Sequence, residues 1–170
     1  MSTAKHKNGF SLIELLIVVA VIGVLAAIAI PSLLASRRAA NEGSAVSSLR
    51  ILCSAEATYQ STGGGGSYGN LASLNASGLV DSVIGGATIG GGGTPKSGFL
   101  FSAEPLTIGT IAAFDAKAQP SIFSGTSPTN GTGSRSFFVN ESGVIYYNLT
   151  GTAPTCTANT NRTVTGTVFN

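Results

Sequence analysis

The chain has 170 residues, which suits one domain with an appendage, and charged residues make up only 9% of it. Its nine basic and seven acidic residues are unevenly placed, because Lys5 and Lys7 lie among the first nine residues and leave seven of each sign elsewhere. The sequence contains no basic patch with interleaved aromatic residues, so nucleic acid is a poor candidate partner. A small net charge together with a 43% hydrophobic share argues against a disordered chain.

The chain opens with a short polar segment that is followed by a long apolar one. Residues 1–9 read MSTAKHKNG, and residues 10–30 read FSLIELLIVVAVIGVLAAIAI, interrupted by Ser11, Glu14 and Gly23. Twenty-one helical residues span about 31 Å, which matches the roughly 30 Å of a bilayer core. The basic side chains that precede this segment predict that residues 1–9 stay in the cytoplasm.

Three other interpretations of the apolar segment compete with a functional membrane helix. It is also compatible with a secretory signal peptide cut at Ala27-Ile28-Ala29, a plain membrane anchor, or a buried core helix. Glu14 disfavours all three, because a carboxylate inside the membrane costs about 2.5–3.5 kcal/mol and marks a functional residue by default. The helical pattern also continues past Ala29 instead of ending in a cut site.

The residues GFSLIELLIV, which begin at Gly9, resemble the class III signal of type IV prepilins and type II secretion pseudopilins, and the similarity extends through Gly23 and Pro31. The resemblance implies that a membrane aspartyl peptidase cuts after Gly9 and N-methylates Phe10. It further implies that the amine of Phe10 pairs with Glu14 of a neighbouring subunit during assembly. Gly9 suits the cut, because without a side chain the scissile bond can lie close to the peptidase's catalytic groups.

Gly23 and Pro31 are predicted weak points of the helix. Pro31 removes one backbone hydrogen bond to Ala27 and clashes with the preceding turn, while Gly23 adds backbone freedom. The resemblance implies that this stretch loses helical structure in the filament. A simple kink at Pro31 is the alternative, and the sequence leaves both open.

The segment after residue 31 is amphipathic. Val46, Leu49, Cys53 and Ala57 form the predicted apolar stripe of a helix that ends near Gln60. The polar faces of this helix are assigned to Arg37, Arg38, Glu42, Arg50 and Glu56. The stripe is therefore expected to pack against the remainder of the chain.

Residues 61–170 are predicted to form a globular head with a loop and an antiparallel sheet. Gly63–Gly66 and Gly90–Gly93 indicate flexible connections, and residues 71–84 between them are weakly helical or irregular. The strand candidates are residues 99–101, 106–114, 136–140, 144–148 and 163–169. The clearest hairpin turns at residues 141–143. A sheet packed on the helical stripe gives an α+β fold with a long N-terminal helix.

The predicted organisation has three parts. They are a leader at 1–9, a helix at 10–60 whose first part, 10–30, crosses the membrane or forms the filament core, and the head at 61–170. A disulfide between Cys53 and Cys156 is the default expectation for a head outside the cytoplasm, and two unrelated thiols are the alternative. Closing a loop of about 100 residues contributes about 4–5 kcal/mol in the chain-entropy model. In the positions of its cysteines this chain departs from type IVa pilins, whose two cysteines both lie near the C-terminus.

No catalytic site, metal cluster or cofactor site is predicted. His6, the only histidine, lies in the leader, so the mature chain has no Ser-His or Cys-His arrangement. Residues 90–97, GGGGTPKS, look like a phosphate loop, but Pro95 stands where that motif needs glycine and has no N–H to donate.

The function implied by the resemblance is structural. The first interpretation is a subunit of a type IV pilus filament, cleaved and N-methylated by prepilin peptidase, that serves adhesion, motility or DNA uptake. The alternative is a type II secretion pseudopilin acting in protein export; it is disfavoured because that family's major member binds calcium through clustered oxygens, and Glu141 is the only acidic residue after Asp115.

The resemblance also implies partners and a location. The expected partners are other copies of the chain in a helical filament, the peptidase, an inner-membrane assembly platform, and membrane lipid before assembly. The subunit is expected to cross the inner membrane once with its head outside and then to enter an extracellular pilus, or a periplasmic one for a pseudopilin.

Overall fold

The computed structural model describes residues 10–127, 129–157 and 162–170. The chain divides into two compact units, Met1–Ser36 and Arg37–Asn170. The helices and strands are α1 (Leu12–Ser61), α2 (Leu71–Ala76), α3 (Ser82–Gly86), β1 (Phe99–Ile108), β2 (Ile111–Pro120), β3 (Ser136–Asn140), β4 (Ile145–Asn148) and β5 (Thr167–Val168). The five strands form one antiparallel sheet in chain order, which confirms the predicted α+β fold with a long N-terminal helix.

The second unit contains the hydrophobic core, which lies between α1 and one face of the sheet. The buried face of α1 consists of Glu42, Ala45, Val46, Ser48, Leu49, Leu52, Ala55 and Glu56. The sheet contributes side chains at alternate positions, for example Phe114, Ala116 and Ala118 of β2, because successive residues of a strand point to opposite faces. Phe99 and Phe137 are fully buried and lie 6.1 Å apart between ring centroids.

The predicted stripe on α1 is correct at its start and wrong at its end. Val46 and Leu49 are buried, but Cys53 is only half-buried and Ala57 is exposed, while Leu52 is buried. Two successive steps of four residues turn a stripe by about 80° around a helix, whereas alternating steps of three and four keep it on one face. The assignment of Glu42 and Glu56 to polar faces is also wrong, since both are buried.

Four of the predicted strands have different bounds in the structure, and the strand predicted at 144–148 differs only in beginning at Ile145. β1 continues through Pro105 to Ile108 and turns at Gly109, so the stretch predicted as 106–114 belongs to two strands. Pro105 is tolerated because β1 is an edge strand of the sheet. The predicted strand at 163–169 is reduced to Thr167–Val168, and Val164 forms only an isolated bridge with Cys156.

The glycine run Gly63–Gly66, which was predicted to be a connection, forms a hydrogen-bonded turn in the structure. The Gly64 N–H donates to the Tyr59 carbonyl at 2.7 Å, and the Gly66 N–H donates to the Gln60 carbonyl at 3.1 Å. Gly66 has φ +92°, which a residue with a side chain rarely adopts. A Cβ atom on Gly64 would collide with the Ser67 carbonyl oxygen and the Tyr59 ring. The glycines therefore allow the chain to fold back onto the end of α1.

Replacing Gly64 by alanine is expected to lower the free energy of unfolding by about 2 kcal/mol, because the collision involves backbone. The matched control is Gly43→Ala on α1, where a Cβ atom meets no atom within 4 Å. That control is expected to stabilise by up to about 1 kcal/mol, since alanine is the better helix former. Urea unfolding of the full chain in detergent measures the free energy of unfolding of both variants. Equal changes in the two variants would contradict the close packing of this turn.

Candidate assembly site

The predicted assembly residues lie at the start of α1. The Phe10 side chain is 80% exposed, and Glu14 is an exposed acidic residue in the first helical turn. A negative charge here is favourable, because the unpaired N–H groups at a helix N-terminus carry partial positive charge. Among the described residues, Glu14 makes no hydrogen bond or ion pair, and its side chain is exposed. Gly9, the other residue of the predicted cleavage site, lies outside the described residues.

The apolar residues around Glu14 are exposed along most of the first unit. Leu12, Ile22 and Ile28 expose 81%, 59% and 72% of their surface, and the intervening large side chains are similar. By length and composition, α1 is the one helix of the described residues that is able to cross a membrane, a test that signal sequences near an N-terminus also pass. This surface needs lipid or other apolar helices to cover it, because apolar area in water is unfavourable.

The two predicted weak points both lie inside a helix. α1 continues through Gly23 and Pro31 without interruption. Pro31 cannot donate to the Ala27 carbonyl, and Gly23 has nothing within 4 Å of the position that a Cβ atom would take. That these two residues weaken α1 stays a prediction.

The head contains an ionic cluster that no pattern in the sequence predicts. Arg162 donates from Nη2 to Asp115 Oδ1 at 2.6 Å and to the Phe114 carbonyl at 2.8 Å, and from Nε to Glu141 Oε1 at 2.8 Å. Asp115 lies on β2 and Glu141 in the turn between β3 and β4. Burial raises the pKa of Glu141, but the bonds from Arg162 outweigh it and hold that pKa below its ordinary value. The cluster fixes the C-terminal segment to two strands.

A second ionic contact joins α1 to the segment before β3. Glu42 is buried, and its carboxylate accepts from the Ser134 N–H and hydroxyl, each at 2.7 Å, and from Arg135 Nε at 2.9 Å. The guanidinium of Arg135 also lies 5.5 Å from the ring centre of Tyr147. Three donors compensate a buried carboxylate well, so this contact fixes the helix against the sheet.

The structure does not contain the predicted disulfide, because Cys53 and Cys156 are both free thiols. Their surroundings differ. Cys53 packs against the core on α1, where burial first and the nearby Glu56 charge second raise the pKa of its thiol. The Cys156 thiol donates to the Thr157 carbonyl at 3.7 Å and lies 3.9 Å from the amide nitrogen of Asn140 on β3.

The glycine-rich stretch at 90–97 has a structural explanation. Lys96 donates to the Ser48 hydroxyl at 3.2 Å and lies 3.8 Å from Asp81, so its ammonium group is already used inside the head. A Cβ atom on Gly93 would collide with the Gly86 carbonyl, which accounts for one of the glycines. Within the described residues, no group of three or more metal-ligating side chains is present.

Comparison with known proteins locates similarity at the N-terminal segment. Residues 4–30 match the family described as the prokaryotic N-terminal methylation motif. The chain is 58% identical over 38 residues to the type IV wide pilus major component PilA4 of Thermus thermophilus, a match that covers 22% of this chain and 29% of that protein. The chain thus matches less than a third of the length of this relative. No solved structure matches the chain. The N-terminal segment of the chain therefore carries a prokaryotic N-terminal methylation motif and is similar to the corresponding segment of a type IV pilus component.

Proposed function

We propose that this chain is a structural subunit of a type IV pilus filament, processed at Gly9 and assembled through α1. The observation that carries this proposal is Glu14, a lone carboxylate in an exposed apolar helix that begins within the methylation motif. Such a segment tolerates the charge in lipid only at a cost, and a second charge of opposite sign offsets part of that cost.

Cleavage after Gly9 creates the opposite charge. The new amine on Phe10 stays basic when methylated, and it lies one helical turn before Glu14 in the sequence. In a stack of parallel helices, the amine of one subunit pairs with Glu14 of the next, and the low dielectric of the surrounding apolar side chains strengthens that attraction. Because either charge alone is unfavourable there, the pair selects the axial register of neighbouring subunits as well as their affinity.

The partners and location follow from this proposal. Before assembly the helix lies in the inner membrane and contacts lipid, with the head outside, and prepilin peptidase and an inner-membrane assembly platform act on it. After assembly the subunit belongs to an extracellular pilus that serves adhesion, motility or DNA uptake. The similarity to a protein named as a major component of a wide pilus supports a role as a pilus subunit.

Processing is tested directly by mass spectrometry of the protein from sheared filaments. The expected N-terminal peptide begins at Phe10 and carries one additional methyl group. Gly9→Ala, which adds one methyl group at the scissile position, is expected to reduce cleavage and leave residues 1–9 attached. A mature N-terminus after Ala29 would instead identify an ordinary signal peptide and overturn the proposal.

A further inference from the structure

Glu56 is a buried carboxyl group that the proposed function does not use. Its side chain is fully buried near the end of α1, beneath the connection formed by residues 62–69, called here the α1–α2 connection. Oε2 accepts the Gly69 N–H at 2.8 Å, whereas Oε1 is buried and has no hydrogen-bond partner. Among the described residues, no arginine or lysine forms an ion pair with it. A charge at this place is therefore poorly compensated.

Glu42 on the same helix shows how a compensated carboxylate is built in this protein. It is nearly as buried, yet both of its oxygens accept hydrogen bonds, and one of them comes from Arg135 at 2.9 Å. Two glutamates on one helix face thus have opposite surroundings. Three donors meet the carboxylate of Glu42, whereas Glu56 has one donor and one buried oxygen without a partner.

The titratable groups that face Glu56 do not supply the missing charge. Cys53 lies one turn earlier on α1, and Tyr68 lies in the α1–α2 connection; neither is positive in any protonation state. Burial raises the pKa of Glu56 from its ordinary 4.5 to about 7, and the Gly69 N–H offsets only part of that effect. The group therefore changes charge close to neutral pH.

The α1–α2 connection is attached to α1 at a few points around this carboxyl. The N–H groups of Gly64 and Gly66 donate to carbonyls of the last helical turn, and Gly69 donates to Glu56. Tyr68, the residue before Gly69, packs on Phe114 of β2 with ring centres 4.8 Å apart. Movement of this connection away from α1 breaks the hydrogen bond from the Gly69 N–H to Glu56.

We propose that Glu56 is a proton-controlled latch: the neutral acid keeps the α1–α2 connection docked on α1, and ionisation releases it. The sign follows from the two states. Below about pH 4.5 the carboxyl is neutral whether the connection is docked or released, so docking is strongest there. As the pH rises, the released state ionises first, and docking weakens until the docked carboxyl has ionised as well, at about pH 7.

Hydrogen exchange of the full chain in detergent, followed by mass spectrometry on peptides that cover residues 62–70, tests the latch. After correction for the chemical exchange rate, protection of these amides is expected to fall roughly ten- to thirtyfold between pH 5.5 and 8. Glu56→Gln keeps the size and cannot ionise, so protection in this variant is expected to stay within about twofold across that range. Glu42→Gln is the matched control and is expected to retain the pH dependence of the parent.

Carbon-13 labelling of the glutamate carboxyls provides a second measurement that needs no variant. One of the five glutamates is expected to titrate near neutral pH, in parallel with the loss of protection. Protection of residues 62–70 that is independent of pH in the parent would overturn the latch, as would an unchanged pH dependence in Glu56→Gln. A Glu56 carboxyl that titrates at its ordinary value would also overturn it.

Discussion

Filaments are expected to contain at least a hundredfold less subunit when Glu14 is replaced by leucine and no parental subunit is present. The reason is that the incoming Phe10 amine meets no counter-charge in an apolar environment, and an uncompensated buried charge costs about 3–5 kcal/mol. The variant is expected to accumulate in the membrane at least as well as the parent, because the costly carboxylate is gone. Blots of membrane fractions beside sheared filaments measure both effects.

Two further substitutions separate charge from shape at this position. Glu14→Gln removes the charge and keeps the size, and it is expected to behave like leucine in filaments. Glu14→Asp keeps the charge on a shorter side chain and is expected to assemble better than either. Cleavage after Gly9 is expected to continue in all three, since the cut precedes the apolar segment. Normal incorporation of the leucine variant would show that charge pairing does not drive assembly.

Replacing Arg162 by methionine is expected to lower the free energy of unfolding of the head by about 3 kcal/mol, because it leaves Asp115 and Glu141 without their cation. The side chains of Arg162 and Asp115 are each only 11% exposed, so water compensates little. The stabilisation from Glu141 is present above that group's ordinary pKa of 4.5 and disappears as the pH falls through its lower folded value. Urea unfolding of the parent and of Arg162→Met at pH 7 and pH 3.5 measures how the difference in their free energies of unfolding depends on pH.

Lys117→Met is the matched control for this prediction. Lys117 pairs with Glu104 at 3.5 Å, but the Glu104 side chain is 56% exposed, and such pairs contribute at most about 1 kcal/mol. The control is therefore expected to change stability by a few tenths of a kcal/mol. If both substitutions lowered the free energy of unfolding by the same small amount, the Arg162 cluster would contribute no more than a surface ion pair does.

The elements that the sequence predicted well are those with local signals. The hairpin of β3 and β4 begins at the predicted Ser136 and turns at Gly143, whose φ of +72° is the conformation that glycine favours. The methylation motif is similarly local, since its information is contained in consecutive residues. Pro105 does not indicate where β1 ends, because a proline is excluded from a central strand but tolerated in an edge strand. Whether a strand lies at the edge is a property of the whole sheet.

The buried charges lay beyond sequence reasoning because each depends on distant pairs. Arg162 meets Asp115 from 47 residues away, and Glu42 meets Arg135 from 93 residues away, with no periodicity to connect them. In the sequence, Glu42 and Glu56 look like solvent-facing positions of an amphipathic helix. Only the fold of residues 62–69 and 134–135 over α1 shows that one carboxyl is compensated and the other is not.

The edges of the sheet have a consequence for how copies of this chain associate. An exposed strand edge is a template on which another chain can add by backbone hydrogen bonding. Here one edge strand, β1, contains Pro105, which offers no donor, and its Phe101 backbone is already bonded to Ala87 and Ile89. The strand at the other edge, β5, has only two residues. Strand addition between heads is therefore disfavoured at both edges of the sheet, which protects copies of this chain that lie side by side from growing into a β-aggregate.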